Sequence, residues 1–392
     1  MRRYCFLCLL LLCVLSVNAQ LLYNAETLAA KRDQVKAGAY REAYEQLLRD
    51  AQRVMAEPIT SVMDKQRTPP SGSKHDYMSI APYAWPNPNS SDGLPWKEQD
   101  GRYNAKEVAM CDLPRLQRTA EDITTLALAW YFSGDESYAK RAVAKLDAWF
   151  LNTTTRMNPS LDYCQVIPGT NGERGYNTFE GIYIAQMLNG VVLLEQSSAY
   201  KKSQRKKFRR WVKTFYANIT TSNAARFEER LANNHAVNYD TQRLYYLSFM
   251  GRKEELQSLA QNFPERRLAD QIMSDGTMPK ELKRTCSFTY TTLNVGYMID
   301  FVLIARNQGV DISDAPLSSG GSIRKAVGVV QRYAGKSKQE WPYQELNDWA
   351  TCQRNAQNEL YRWETMSQRP VDASKRVNER LISKQSRFNL LY

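Results

Sequence analysis

Apolar residues recur along this chain mainly at helical spacing. Over 120–132, Ile123, Leu126, Ala127 and Trp130 share one face; over 138–151, Ala139, Ala142, Val143, Leu146 and Trp149 or Phe150 do the same. A recurrence of three to four residues is that of an amphipathic helix. Between the two lies Ser133-Gly134-Asp135-Glu136, a short turn in which Asp135 is placed to cap the second helix. Two helices joined this way make an αα-hairpin. The layout returns at 179–195 with 203–218, at 236–249 with 253–273 across Met250-Gly251-Arg252, and at 293–307 with 322–333. Helical spacing over 344–363 and 374–383 follows. Strict repeats are absent, and no stretch alternates long enough for an all-β domain. The expected class is all-α, with hairpins curling into an (α/α) toroid or an irregular bundle.

Two long connections interrupt the helices, at about 68–112 and 158–178. They are rich in tyrosine, tryptophan and proline, a composition that argues for order. Aromatic side chains on loops over a helical scaffold suit a sugar-stacking cleft, and equally suit a cover for the helix ends.

Residues 1–19 follow the pattern of a signal peptide: Arg2 and Arg3, an apolar stretch from Phe6 to Val17, then Val17-Asn18-Ala19. The stretch is too short to span a bilayer. Export to the periplasm, or full secretion, is expected, with no stable membrane insertion. Loss of the signal removes Cys5, Cys8 and Cys13 and leaves Cys111, Cys164, Cys286 and Cys352. Their wide spacing does not suit zinc, and a chain of this length needs no staples, so buried free thiols are the first expectation and a single disulfide the alternative. The signal also takes two arginines, leaving 51 basic against 41 acidic residues and a net charge of +10. An exported basic protein suits a polyanionic partner. Seven of those charges fall in 201–210, alternating with Phe208, Trp211 and Phe215. That pattern reads first as the solvated face of an amphipathic helix, and second as a polyanion patch.

Histidine occurs twice, at His75 and His235, which nearly excludes a multi-histidine metal centre; no metal or cofactor is expected. Asn233-Asn234-His235 stands just before a helix, where unpaired N–H groups favour an anion; the plainer reading is an N-cap beside a satisfied polar residue. After the turn 274–277 come Glu281, Arg284 and Tyr290. Arg284 can fork onto a carboxylate, and Tyr290 carries a titratable hydroxyl. Alone, this segment reads as a surface arginine and a half-buried tyrosine opening a helix.

Four stretches taken together resemble the alginate lyase superfamily of polyuronate lyases, in matching order over about 70–310: the run from Lys74 to Pro86, the segment Met157 to Tyr163 with Ile167-Pro168-Gly169, Asn233-Asn234-His235 through Asp240, and Asp275-Gly276 through Glu281, Arg284, Ser287 and Tyr290. The resemblance implies one domain over 20–392, an incomplete (α/α) toroid of helical hairpins with long loops over a central cleft, and β-elimination on a uronic-acid polymer. It implies that Asn234 and His235 meet the sugar carboxylate, that Arg284 assists, and that Tyr290 moves the proton. His75, Tyr77, Tyr83, Trp85, Asn233, Tyr239 and Glu281 are expected near substrate, Glu281 by orienting Arg284. Thr289 stands where many relatives have histidine, and Ala84 where a second bulky aromatic is common; both bear on which polymer is cut.

Elimination removes the proton at C5, beside a charged carboxylate. Donors on that carboxylate stabilise the developing enediolate. A base then takes the proton, and an acid protonates the leaving O4. For Tyr290 to act as the base its pKa must fall, and Arg284 is expected to lower it, with His235 open to sharing the role. Two rivals remain open on sequence: a glycoside hydrolase using two of Asp76, Asp240 and Glu281, and a non-catalytic binder of acidic glycans. No nucleic-acid motif occurs, and the sequence is silent on oligomeric state.

Overall fold

The computed structural model describes residues 21–170, 177–367 and 382–392. The signal-peptide pattern and nearly all of the 374–383 segment lie outside them. Two helices absent from the sequence expectation open the chain, α1 (Ala25–Lys36) and α2 (Arg41–Ala56). Within the first long connection run β1 (Met78–Ile80), β2 (Ala84–Trp85), β3 (Lys97–Glu98) and the short α3 (Ala105–Ala109). Then come α4 (Leu113–Ser133) and α5 (Glu136–Phe150), with Asp135 accepting from Ser137 N at 2.8 Å as the cap. β4 (Tyr163–Val166) precedes α6 (Gly181–Leu194), α7 (Lys202–Thr221) and α8 (Asn223–Arg230). The remaining helices are α9 (Asn234–Met250), α10 (Lys253–Phe263, extended by a π turn at Pro264–Leu268), α11 (Pro279–Leu282), α12 (Ser287–Asn307), α13 (Ile323–Tyr333), α14 (Trp349–Ser367) and α15 (Phe388–Leu391).

The hairpins α4/α5, α6/α7, α9/α10 and α12/α13 form an incomplete α/α toroid. The first helices of the pairs pack in succession on the inside, α4 on α6, α6 on α9, α9 on α12, with α14 next. Each returns through an outer helix, so the inner helices run parallel. Tyr183 meets Gln117 while Gly190 meets Thr124, and Thr241 meets Tyr297 while Tyr245 meets Asp300. At Gly190 a Cβ would come within 2.9 Å of Thr124 Cα, so only glycine lets α4 and α6 approach this closely. The N-termini of the inner helices therefore gather at one end, where their dipoles sum to positive potential. The long connections lie at that same end.

One continuous hydrophobic core fills the space between the layers. α12 is long and apolar enough to cross a membrane, but it sits in this core with most of its length buried. On α7, Phe208, Trp211 and Phe215 turn inward, Trp211 stacking on Phe215 at 5.0 Å, while Lys202, Lys206, Lys207, Arg210 and Lys213 face outward. A smaller cluster of Met78, Ile80, Ala81, Ala84, Cys111, Val166 and Ile167 lies beneath the first connection, where β1 pairs with β4 in parallel and β2 with β3 antiparallel. The root of this connection is an ion pair, Lys65 Nζ to Asp112 Oδ2 at 2.9 Å, with both side chains fully buried. Lys65 also donates to Lys74 O, and Asp112 accepts from Met78 N. The four described cysteines are free and buried.

Candidate active site

At the N-terminal end of the inner ring, α9 opens with its first amides already engaged. Asn233 caps the helix, its Oδ1 accepting from His235 N at 3.1 Å. Glu281 reaches over from α11: Oε1 accepts from Asn234 N at 2.6 Å, and Oε2 from Asn234 Nδ2 at 2.7 Å. The anion expected at this helix end is thus a side chain of the protein itself. Glu281 is only 1% exposed, and burial pushes its carboxyl upward despite the two Asn234 bonds. The sequence expectation paired Glu281 with Arg284 and placed it near substrate. The structure instead puts it beneath Asn234, because the positive end of α9 is the nearer partner for a desolvated carboxylate. Asn234 Oδ1 is left buried without a hydrogen-bond partner among the described residues, an orphan of the kind that concentrates at functional sites.

His235 presents a partly exposed ring packed on Phe179 at 4.6 Å. Its Nδ1 faces both carboxylate oxygens of Glu228, on α8, each at 3.2 Å. A carboxylate only accepts, so Nδ1 carries the proton of this contact.

The second half of the site lies at the start of α12, which begins six residues earlier than expected, at Ser287. Tyr290 therefore sits in the first helical turn. Arg284 lies across its ring, Cζ 3.7 Å from the centroid. The guanidinium is not free: Nε lies 3.1 and 3.2 Å from the two oxygens of Asp100, and Nη2 bonds the first of them. Asp100 also takes Thr285 N and Oγ1, each at 3.0 Å. Tyr290 Oη donates to Tyr83 Oη at 2.9 Å, so the first connection folds over the tyrosine. Burial pushes the Tyr290 phenol well above its ordinary value; Arg284 opposes this and does not overcome it. The sequence reading had Arg284 lowering that value. The difference arises because burial outweighs the arginine's charge, with smaller contributions from Tyr83 and Asp100 in the same direction. The two halves meet at Glu281, which is clamped to Asn234 and lies within the electrostatic reach of both Arg284 and His235.

Of the remaining expected substrate contacts, Tyr83 lies at the site and Trp85 lies on the same connection, with Arg102 stacked on its ring at 4.3 Å. Tyr77 is 1% exposed and donates to the buried Glu180, so it supports the floor and is not a wall. Tyr239 is 2% exposed and packs with Arg243, 5.5 Å away, on the outer side of α9. His75 bonds the carbonyl of Arg156 at 2.7 Å and ties the two connections together. The carboxylates proposed for a hydrolase are committed elsewhere. Asp240 is buried under Arg243, Arg266 and Arg267, Asp76 is held by Ser71 and Asn158, and Glu281 by Asn234. No group of three or more metal-binding side chains occurs among the described residues.

A family model for alginate lyase matches residues 61–341. The chain belongs to the alginate lyase family. A crystal structure of an alginate lyase from Bacteroides ovatus is similar over 96% of this chain and 99% of that one, at 37% identity and a TM-score of 0.89. Alginate lyase A1-III from Sphingomonas species A1 matches at 12% identity and a TM-score of 0.55, over 90% of this chain and 96% of that one. A histidine-to-alanine variant of A1-III, complexed with tetrasaccharide, matches at 12% identity and 0.61 over 96% and 97%. These last two share the fold. No curated protein matches at a comparable level. This alginate lyase family member is a polysaccharide lyase acting on polyuronates.

Proposed function

We propose that the chain cleaves alginate or a closely similar polyuronate between Asn234, His235 and Tyr290, with His235 as base and Tyr290 as acid. The observation that carries this is the pairing of His235 Nδ1 with Glu228, together with a Tyr290 phenol whose burial favours the protonated form. The uronate carboxylate is placed beside Asn234, which Glu281 fixes, and His235. His235 Nε2 takes the C5 proton; the electron pair forms the C4=C5 bond and the C4–O4 bond breaks. O4 leaves with the Tyr290 proton. The products are an unsaturated uronide end and a new reducing end. Arg284 lies against the Tyr290 ring and supports it there.

Export through the 1–19 segment brings the protein to such polymers, in the periplasm or outside the cell; the residue pattern of that segment supports this. The test is a panel of acidic polysaccharides followed by ultraviolet absorbance. New absorbance with alginate is the expected result. Reducing ends appearing without it, across every uronate, would overturn the reading in favour of hydrolysis.

A further inference from the structure

Resting on the function proposed above, we propose that Asp100 is a positioning residue for the elimination: its carboxylate holds the Arg284 guanidinium against the Tyr290 ring and opposes its charge, which helps the buried phenol enter the reaction as a proton donor.

The geometry is that of a built clamp. Asp100 lies two residues past β3, and its two oxygens receive Arg284 Nε and Nη2, Thr285 N and Thr285 Oγ1. Two of these donors come from a guanidinium edge and one from the backbone, a set that fixes position as well as charge. The seat is tight, since at Gly101 (φ +77°) a Cβ would come within 2.4 Å of Thr285 Oγ1. The residue before Asp100 extends the clamp to the other end of the phenol. Gln99 N donates to Tyr83 O at 2.9 Å, and Tyr83 Oη receives the Tyr290 hydroxyl at 2.9 Å. One short stretch of chain therefore holds the cation on the ring face and the partner on the hydroxyl.

The charge argument follows from what faces Tyr290. From the segment before α12 comes Arg284; from the first connection come Tyr83 and Asp100; from α12 itself comes Tyr297. Glu345, ahead of α14, takes the amide of the neighbouring Thr289, and Glu281 faces Arg284 from α11. Arg284 supplies positive charge in direct contact with the ring, and an unopposed cation there stabilises phenolate. Asp100 opposes it. Burial pulls the Asp100 carboxyl up, but the bonds from Arg284 and Thr285 outweigh that and hold it at about 2, so it stays ionised wherever the enzyme works. The clamp engages the Nε/Nη2 edge of the guanidinium.

The test is the pH dependence of kcat for unsaturated product, in the full chain, with Asp100→Asn. The rate requires protonated Tyr290, so its alkaline limb marks loss of that proton. With Arg284 unopposed the phenol ionises more readily, and the limb should move to lower pH. Asp100→Glu keeps the charge and should leave the limb in place whatever it costs in rate. Should Asp100→Asn fail to fold, Arg284→Gln reads the same pairing with opposite sign: the Asp100 charge is then unopposed and the limb moves up. A limb that stays put, with kcat scaled down equally at all pH, would overturn the proposal and reduce Asp100 to a loop prop. Absence of unsaturated product from the wild type would sink the proposed function itself, which is a different outcome.

Discussion

Nδ1 of His235 and the carboxylate of Glu228 lie 3.2 Å apart, with Glu228 fully buried and the imidazole partly exposed. The acid is on α8 and the histidine on α9, so the short link 231–233 decides the alignment of the ring. Glu228→Gln keeps the volume but can present an N–H to Nδ1, favouring the other tautomer. We expect kcat to fall about 100-fold, the scale of a lost general base, with binding of uronate oligomers nearly unchanged. Initial rates and binding isotherms on the same variant check this.

Tyr290→Phe removes the donor to O4 and the bond to Tyr83, leaving the Arg284 contact with the ring. Loss of proton transfer predicts a fall of about 10³-fold in product formation. A binder without catalysis would show no turnover in either form, so the wild type and the variant must be assayed together. Retained oligosaccharide affinity in the variant is the expected companion result.

Removing Glu281 tests the floor of the site. Glu281→Ala leaves the Asn234 N–H groups buried and unpaired, at a cost of about 1–3 kcal/mol. Chemical denaturation measures it. Activity should fall too, since the amide of Asn234 then has nothing to hold it.

The Lys65–Asp112 pair makes a contrasting prediction. Asp112→Ala strands a desolvated ammonium, and about 3–5 kcal/mol of stability should be lost. Replacing the pair together, with Lys65→Met and Asp112→Leu, should cost far less, because both desolvation penalties disappear with the charges. Comparing the unfolding free energies of the two variants checks the difference.

The Asp100 clamp has its own signature in acid. Its carboxyl is lowered from 3.8 to about 2 in the folded chain, so the stability it contributes is present above 3.8 and lost as pH falls through about 2. The gap in melting temperature between wild type and Asp100→Asn should be steady near neutrality and close over that window.

Much of the toroid was legible because the inner helices carry large apolar side chains at helical spacing, as in α4 with Ile123, Leu126 and Ala127. α1 and α2 escaped notice for the converse reason. Their buried stripes are Leu28 and Val35 in one and Ala43, Leu47, Ala51 and Val54 in the other, too small or sparse to stand out from the charged residues between them. Asn234, His235, Arg284 and Tyr290 could be picked out in local motifs. Asp100 could not, since its partner is 184 residues away and nothing beside it marks the pairing. Glu228 left a trace, an acid that falls on the apolar side of a short helix seven residues before the histidine. Glu281 does face Arg284, as expected, but its hydrogen bonds go to Asn234, 47 residues away, a pairing that nothing local in the sequence marks.

The most direct measurement is a crystal structure of Tyr290→Phe with a bound tetrauronide. The account predicts a sugar carboxylate beside Asn234 and His235, C5 facing His235 Nε2, and the Asp100–Arg284 pair intact. A carboxylate seated on Arg284 with Asp100 displaced, or a C5 remote from His235, would contradict it.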